Sequence, residues 1–435
     1  MKIEFKRRVV SCLGAALAFA TIGSIALLLD GASDVVLAAD YPPPDRLVEV
    51  LRNPNKDKRT SPEVGFDELF ILGYGRSQGY QCPIWNDQSK GKISQCDNGA
   101  PFSLEVIQRY LDILAKNGIH VHRDIVPIKY FAEPANLDNI IAVMLEYQKR
   151  HMKLVFVPGF PMPGPTSHNG LLCVPTDDKK FEDIAYTVAN PTVDLFKRLK
   201  ASGKLESGWL TNNVIIEPWN EFDGAPSLVI NPNGTESCKL EGFQNGSPAK
   251  AAKLQAVMAY AFWKNDLKNE ITAPSIVNVF KGPMSEPVKP GNKFDTMRIY
   301  LKDYYAAGGK GRPALHIYYG GQKLAPSTTA ADLVTDLEHG LAAVMPAIPA
   351  QYQHQVEIGE TGFPEGSPHC TFGLNQDMRV EYYKDVFKSA YLKQNTEMVL
   401  FWRLAQVDAV PTDGKPLGDC EATFGVLPLT TLSGK

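Results

Sequence analysis

The chain has 435 residues, 44% hydrophobic and 21% charged, enough apolar material for one large domain or two ordinary ones and too much for a disordered chain. Its formal net charge of −3 gives no electrostatic footprint for nucleic acid, so partners have to be read from local features.

At the N-terminus, Lys2, Lys6, Arg7 and Arg8 precede a run from Val9 to Leu29 that contains no charge. A basic flank followed by an apolar run is an export signature. The run is long enough to span a bilayer, and Val36-Leu-Ala-Ala39 offers small residues to a signal peptidase. Residues 1–39 are therefore expected to be a cleaved signal peptide or a retained anchor tethered through residues 9–29. Either way, residues 40–435 are expected to be secreted or periplasmic. Apart from Cys12 there are six cysteines, an even number that suits disulfides outside the cytoplasm. Sequence cannot select the connectivity; Cys82–Cys96, Cys173–Cys238 and Cys370–Cys420 are the expected loop-pinning pairs. A zinc site would need Cys-x-x-Cys spacing, which is absent.

A Pro-rich stretch, Tyr41–Asp45, leads into a short helical pattern at Arg46–Arg52. From Leu69 onward strand and helix signals alternate. Leu69–Tyr74 is expected to be the first strand, followed by a long polar loop and a helix over Leu104–Asn117, with Ser103 as N-cap and Gly118 as stop. Strands are expected at Ile119–Val126, Leu154–Val157, Val214–Trp219, Ser275–Phe280, Ala314–Tyr318, Gln355–Gly359 and Met398–Trp402, and helices at Leu137–His151, Val193–Leu199, Ala249–Asn269, Asp295–Ala307, Ala330–Met345 and Met378–Leu392. Eight strands separated by helices argue a single-domain (β/α)8 TIM barrel with enlarged βα loops. A doubly wound sheet would call for a Gly-rich dinucleotide turn that the early strands lack. After Trp402 no helical pattern is visible, so the eighth helix is expected to be atypical or missing.

Two strand ends carry chemistry. Val214-Ile-Ile-Glu-Pro-Trp-Asn-Glu221 closes the fourth strand on Asn220-Glu221, and Val356-Glu-Ile-Gly-Glu360 closes the seventh on Glu360. The C-terminal ends of barrel strands are where such folds keep their reactive groups, and strands four and seven face each other across the mouth. Two carboxylates flanking a glycosidic bond are what acetal hydrolysis requires, one to protonate the leaving oxygen and one to meet the oxocarbenium-like carbon.

On these residues the chain resembles the clan A glycoside hydrolases, retaining (β/α)8 glycosidases such as families 5, 17, 39 and 53. The resemblance implies Glu221 as acid/base and Glu360 as nucleophile, cleaving β-glycosidic bonds in a polysaccharide, with an endo-acting cleft built by the long loops. It further implies that Asn220 contacts substrate, that His316-Ile-Tyr318 brings a phenol to the nucleophile, that Trp402 floors the sugar site and that Arg123 lies near the nucleophile. Phe222 departs from the proline that often follows Asn-Glu in the clan, and no single family's pattern is complete. Glu217 is expected to hold a polar network one layer deeper, and Glu357, three before Glu360, to face the opposite side of its strand. No cofactor or metal is expected, and the chain is expected to act as a monomer.

Two other readings use different features. His120-Val-His122 has the spacing by which amidohydrolase-type barrels bind a metal, but no lysine closes strand four and no histidine lies in strand five. His-x-His and Arg123 also have opposite parity, so a regular strand cannot point both inward. A non-catalytic polysaccharide-binding barrel is the third reading, set against the presence of both glutamates.

Overall fold

The computed structural model describes residues 62–81, 84–87, 91–94, 101–116, 118–159, 167–168, 171–225, 227–230, 236–239, 246–280, 293–319, 324–325, 327–363, 373–402, 405–406 and 427–428. The segment 1–39, the helix expected at Arg46–Arg52 and most of the chain after Trp402 lie outside the described residues. Among the described residues no helix is long and apolar enough to cross a membrane.

Eight strands form one sheet: β1 (Glu63–Asp67), β2 (Val121–Pro127), β3 (Lys153–Gly159), β4 (Val214–Ile216), β5 (Ile276–Phe280), β6 (Ala314–Tyr319), β7 (Val356–Gly362) and β8 (Thr396–Trp402). Their order is β5-β6-β7-β8-β1-β2-β3-β4, and every ladder is parallel. The two ends of that list also meet. Ile216 N–H donates to Glu270 O at 2.8 Å, Thr272 N–H to Ile216 O at 2.9 Å and Ser275 N–H to Trp219 O at 3.0 Å. The chain leading into β5 thus completes the ring against β4, giving the expected (β/α)8 barrel.

Helices cover the outside: α1 (Phe70–Ser77), α2 (Leu104–Lys116), α3 (Leu137–Lys149), α4 (Asp178–Ser202), α5 (Pro248–Lys264), α6 (Lys293–Ala306), α7 (Ala330–Val344) and α8 (Gln376–Lys388). Strand alternation sends every second side chain to this layer. Phe156 of β3 meets Phe196 of α4, Phe401 of β8 meets Tyr383 of α8, and His122 of β2 stacks between Phe70 of α1 and Tyr147 of α3. The alternate residues, Arg123 among them, face the interior.

The first strand differs from expectation. Leu69–Tyr74 is not a strand; Phe70–Ser77 is α1, and β1 is the preceding segment Glu63–Asp67. A short, continuously apolar run has no period to separate buried strand from buried helix. Asp124 settles it through tertiary contact, its Oδ2 accepting from Ile71 N–H at 2.9 Å and satisfying a donor of the first turn. The helix expected at Val193–Leu199 is also longer, starting at Asp178, where the Asp177 side chain caps it, and a short helix, Ser207–Asn212, follows it before β4.

The loops above β3 and β4 join in a small sheet: Ser227–Ile230 pairs antiparallel with Glu236–Lys239 and parallel with Val174–Pro175. Cys173 beside it is disulfide-bonded; the side chains of the other cysteines, and so the expected pairings, lie outside the described residues. At the opposite end, buried Arg312 ahead of β6 lies 3.4 Å from Glu270, 3.3 Å from Glu357 and 3.7 Å from Glu397. Glu357 and Glu397 lie at the starts of β7 and β8, and Glu270 on the approach to β5.

Candidate active site

Arg123 is the centre of the C-terminal mouth. It is fully buried, and each of its five N–H hydrogens has an acceptor. Nε donates to Glu217 Oε2 at 2.9 Å and Nη2 to Glu217 Oε1 at 2.8 Å, a bidentate fork. Nη2 also donates to Asn220 Oδ1 at 2.7 Å, and Nη1 donates to both Glu360 Oε1, at 2.6 Å, and Asp67 Oδ2. Burial works against the charge on Glu217, but the charge and hydrogen bonds of Arg123, with help from His316 and Ser275, hold its carboxyl below the usual range. The deeper polar network expected around Glu217 is therefore present.

Glu360 reaches the mouth through an irregularity in β7. Ala314 pairs with Glu357 and His316 with Glu360, so Gly359 is an extra residue in the ladder. Because of this bulge, Glu357 and Glu360 share the inward face, and the expectation that Glu357 points the other way is overturned. Strand alternation fails here because the ladder is not regular. Gly359 also sits close against the site: a Cβ there would lie 3.1 Å from His316 Nε2, so a larger residue would ask the ring to shift by a few tenths of an ångström.

Glu221 is held differently. It follows β4 in a left-handed conformation, φ +52°, which non-glycine residues adopt at a cost of about 1–3 kcal/mol. Its N–H donates to Ser275 Oγ at 2.9 Å, Phe222 N–H donates to Ser275 O at 2.8 Å, and Val277 N–H donates to Asp223 Oδ1 at 2.9 Å. The turn carrying Glu221 is thereby stitched to β5. The Glu221 side chain keeps 34% of its exposure, whereas that of Glu360 keeps 5%.

His316 stands between the two carboxylates, with Nδ1 3.1 Å from Glu221 Oε1 and 3.4 Å from Glu360 Oε2. Burial lowers its pKa to about 4, so the ring is neutral at ordinary pH. We assign the Nδ1–H tautomer because that atom faces two acceptors. Tyr318 O–H donates to Glu360 Oε2 at 2.6 Å. Burial pushes the Glu360 carboxyl up to about 7, against the pull of His316 and Arg123. The cationic and hydrogen-bonding neighbours expected to keep it ionised are in place, but loss of water outweighs them.

One oxygen of Glu221, one of Glu360 and a ring nitrogen of His316 all lie within 4.8 Å of one another. Among the described residues this is the one His/Cys/Asp/Glu trio close enough to share an ion. Arg123 already supplies positive charge to Glu360, and His316 hydrogen-bonds across the pair, so the arrangement suits proton and carbon chemistry better than a cation. The histidine pair of the amidohydrolase reading does not form a site: His120 is exposed, and His122 is buried in the helix layer.

Six expected residues, Arg123, Asn220, Glu221, His316, Tyr318 and Glu360, therefore converge. Trp402 ends β8 half-buried, beside Asp67 in register. Asp67 and Ser275 were not anticipated. An aspartate closing β1 is a visible signal once the strand is correctly placed at Glu63–Asp67, whereas Ser275 has no signature apart from its position before β5.

No protein-family model matches the chain, and no curated protein matches it. Solved structures do. A GH5 enzyme, ZgEngAGH5_4, in complex with a cellotriose aligns at 13% identity over 86% of this chain and 95% of its own, with a TM-score of 0.50. A point variant of a GH5_18 enzyme from Bifidobacterium longum subsp. longum, in complex with Manb1-4GlcNAc, aligns at 12% identity over 84% of this chain and 74% of its own, also at 0.50. Both likenesses are of fold, and the fold is that of the group the sequence resembles.

Proposed function

We propose that the chain is a retaining β-glycosidase in which Glu360 is the nucleophile and Glu221 the acid/base. The observation that carries this reading is the approach of the two carboxyl groups to within 4.8 Å at their nearest oxygens. Retaining enzymes hold their carboxyls about 5–5.5 Å apart, and inverting enzymes leave roughly 6.5–9.5 Å for a water. Glu360, buried and clamped by Arg123 and Tyr318, suits attack on the anomeric carbon. Glu221, the more exposed of the pair, suits protonation of the leaving oxygen and then deprotonation of the water that releases the glycosyl-enzyme ester. With Oδ1 of Asn220 taken by Arg123, its Nδ2–H is the end left for a sugar hydroxyl, and the Trp402 indole offers a flat apolar face to a pyranose. The sugar ligands in the two similar GH5 structures support a carbohydrate substrate.

The long βα loops favour endo cleavage of a polysaccharide. The basic flank and apolar run at residues 2–29 favour export, either to the medium or to the periplasm with a tether, and action as a monomer completes the reading. A polysaccharide panel with NMR of the first-formed anomer tests it. Glu221→Gln should lose turnover of natural linkages but still react with 2,4-dinitrophenyl β-glycosides, and added azide should then yield the β-glycosyl azide. An α-azide, or an inverted product from the unaltered enzyme, removes the double displacement. Polysaccharide binding without turnover by the unaltered protein would favour a binding barrel instead.

A further inference from the structure

Asp67 has no part in the mechanism above, yet it is placed where it must act on it. It closes β1, pairs in register with Arg123 on one side and Trp402 on the other, and is fully buried. Its Oδ2 and Glu360 Oε1 accept from the same atom, Nη1 of Arg123, while its Oδ1 is buried with no hydrogen-bond partner among the described residues. One guanidinium thus serves three carboxylates. Glu217 takes its share in a bidentate fork, leaving Asp67 and Glu360 on what remains.

A buried cluster with one positive and three negative charges is costly, and like-charged carboxylates at one donor do not both ionise freely. We propose that Asp67 is a positioning residue for the glycosylation step: its charge, held beside Glu360 by the other hydrogen of the same Nη1, sets the pH below which the nucleophile is too protonated to attack. This rests on the assignment of Glu360 as nucleophile. The groups facing Glu360 are Arg123 from β2, Glu217 and Glu221 from β4, His316 and Tyr318 from β6, and Asp67 from β1. Those facing Asp67 are Arg123 and Asp124 from β2, Tyr147 from α3, Glu217, Tyr318 from β6, Glu360 from β7 and its neighbour Glu68. Burial pushes both Asp67 and Glu360 up to about 7, so the two span the same pH range.

The effect of that charge has a defined sign. An ionised Asp67 disfavours ionisation of Glu360, and its replacement by the neutral isostere lowers the pH at which Glu360 becomes a carboxylate. The test is a carboxyl 13C NMR titration of the full chain, with the Glu360 resonance assigned by its loss in Glu360→Gln. In Asp67→Asn the Glu360 midpoint should fall by about one pH unit, and the acid limb of kcat/KM on 2,4-dinitrophenyl β-glycosides should move with it at nearly constant KM. Asp67→Glu should restore a midpoint near that of the unaltered protein.

An unchanged Glu360 midpoint in a folded Asp67→Asn protein overturns the proposal. If that variant does not fold, the unaltered protein decides. Asp67 and Glu360 should each titrate in two steps, and two independent single-step curves overturn it. Retained turnover by Glu360→Gln would instead defeat the nucleophile assignment, an outcome separate from either.

Discussion

The Tyr318 hydroxyl donates to Oε2 of Glu360 at 2.6 Å, the oxygen that also faces His316. Burial holds the phenol well above its ordinary pKa, so it remains a donor throughout the working range. A hydrogen bond to a charged group is worth roughly 1.5–3 kcal/mol. Tyr318→Phe should therefore lower kcat/KM about 10–100-fold. The lost donor favoured the ionised carboxyl, so the acid limb should also move to higher pH. A pH–rate profile of the variant measures both.

Gly359 is the bulge residue of β7, and a methyl group there would meet the His316 ring at 3.1–3.2 Å. Its φ is not left-handed, so alanine suits the backbone and the conflict falls on His316. Displacing a group at the reacting centre by an ångström can cost about 100-fold in rate. The ring has only a few tenths of an ångström to give, so Gly359→Ala should cost up to about tenfold in kcat; activity equal to that of the unaltered enzyme would show that His316 does not need its present place.

Ser275 holds the strained turn at Glu221 through a single side-chain acceptor. Loss of such a bond costs about 0.5–1.5 kcal/mol. Ser275→Ala is expected to slow both glycosylation and release of the glycosyl-enzyme by up to about tenfold, with binding of a non-hydrolysed oligosaccharide little changed. Pre-steady-state bursts on a dinitrophenyl glycoside separate the two steps.

Burial pushes the Glu357 carboxyl from 4.5 to about 7, against the opposing charge of Arg312. Between those values the folded protein keeps a proton that the unfolded chain has released, so its contribution to stability falls as pH rises through the window. Asp67 and Glu360, also raised, act in the same direction. Glu357→Gln preserves the shape without the charge. It should flatten the dependence of Tm between pH 5 and pH 8 in thermal unfolding, whatever the loss of a partner for Arg312 does to Tm at any one pH.

Much of the barrel was legible because most of its strands carry short apolar runs, such as Leu154–Val157 before Pro158 and Val214–Ile216, and long helices such as Leu137–Lys149 keep a clear period. The first strand was not, because in Glu63-Val-Gly-Phe-Asp67 a glycine fills an inward position that packs against Leu400 and the Val121 carbonyl, a requirement visible only in three dimensions. The two glutamates, Asn220, His316, Tyr318 and Arg123 could be read as strand ends with chemistry. The reach of Arg123 to four acceptors from three strands could not, since it depends on barrel curvature. Glu357 was assigned the wrong face because one extra residue in a ladder leaves no mark in composition.

Arg312 bears on how such a barrel can be divided. Two of its acidic neighbours come from the starts of β7 and β8 and the third from the approach to β5, and it precedes β6 itself. Taking away one partner of a buried ion pair typically costs about 3–5 kcal/mol. A break anywhere between Glu270 and Glu397 therefore leaves a stranded charge on one of the pieces. The boundary before Glu270, where backbone contacts from the approach to β5 complete the ring, is the place at which two half-barrels of different origin could be joined without splitting the cluster.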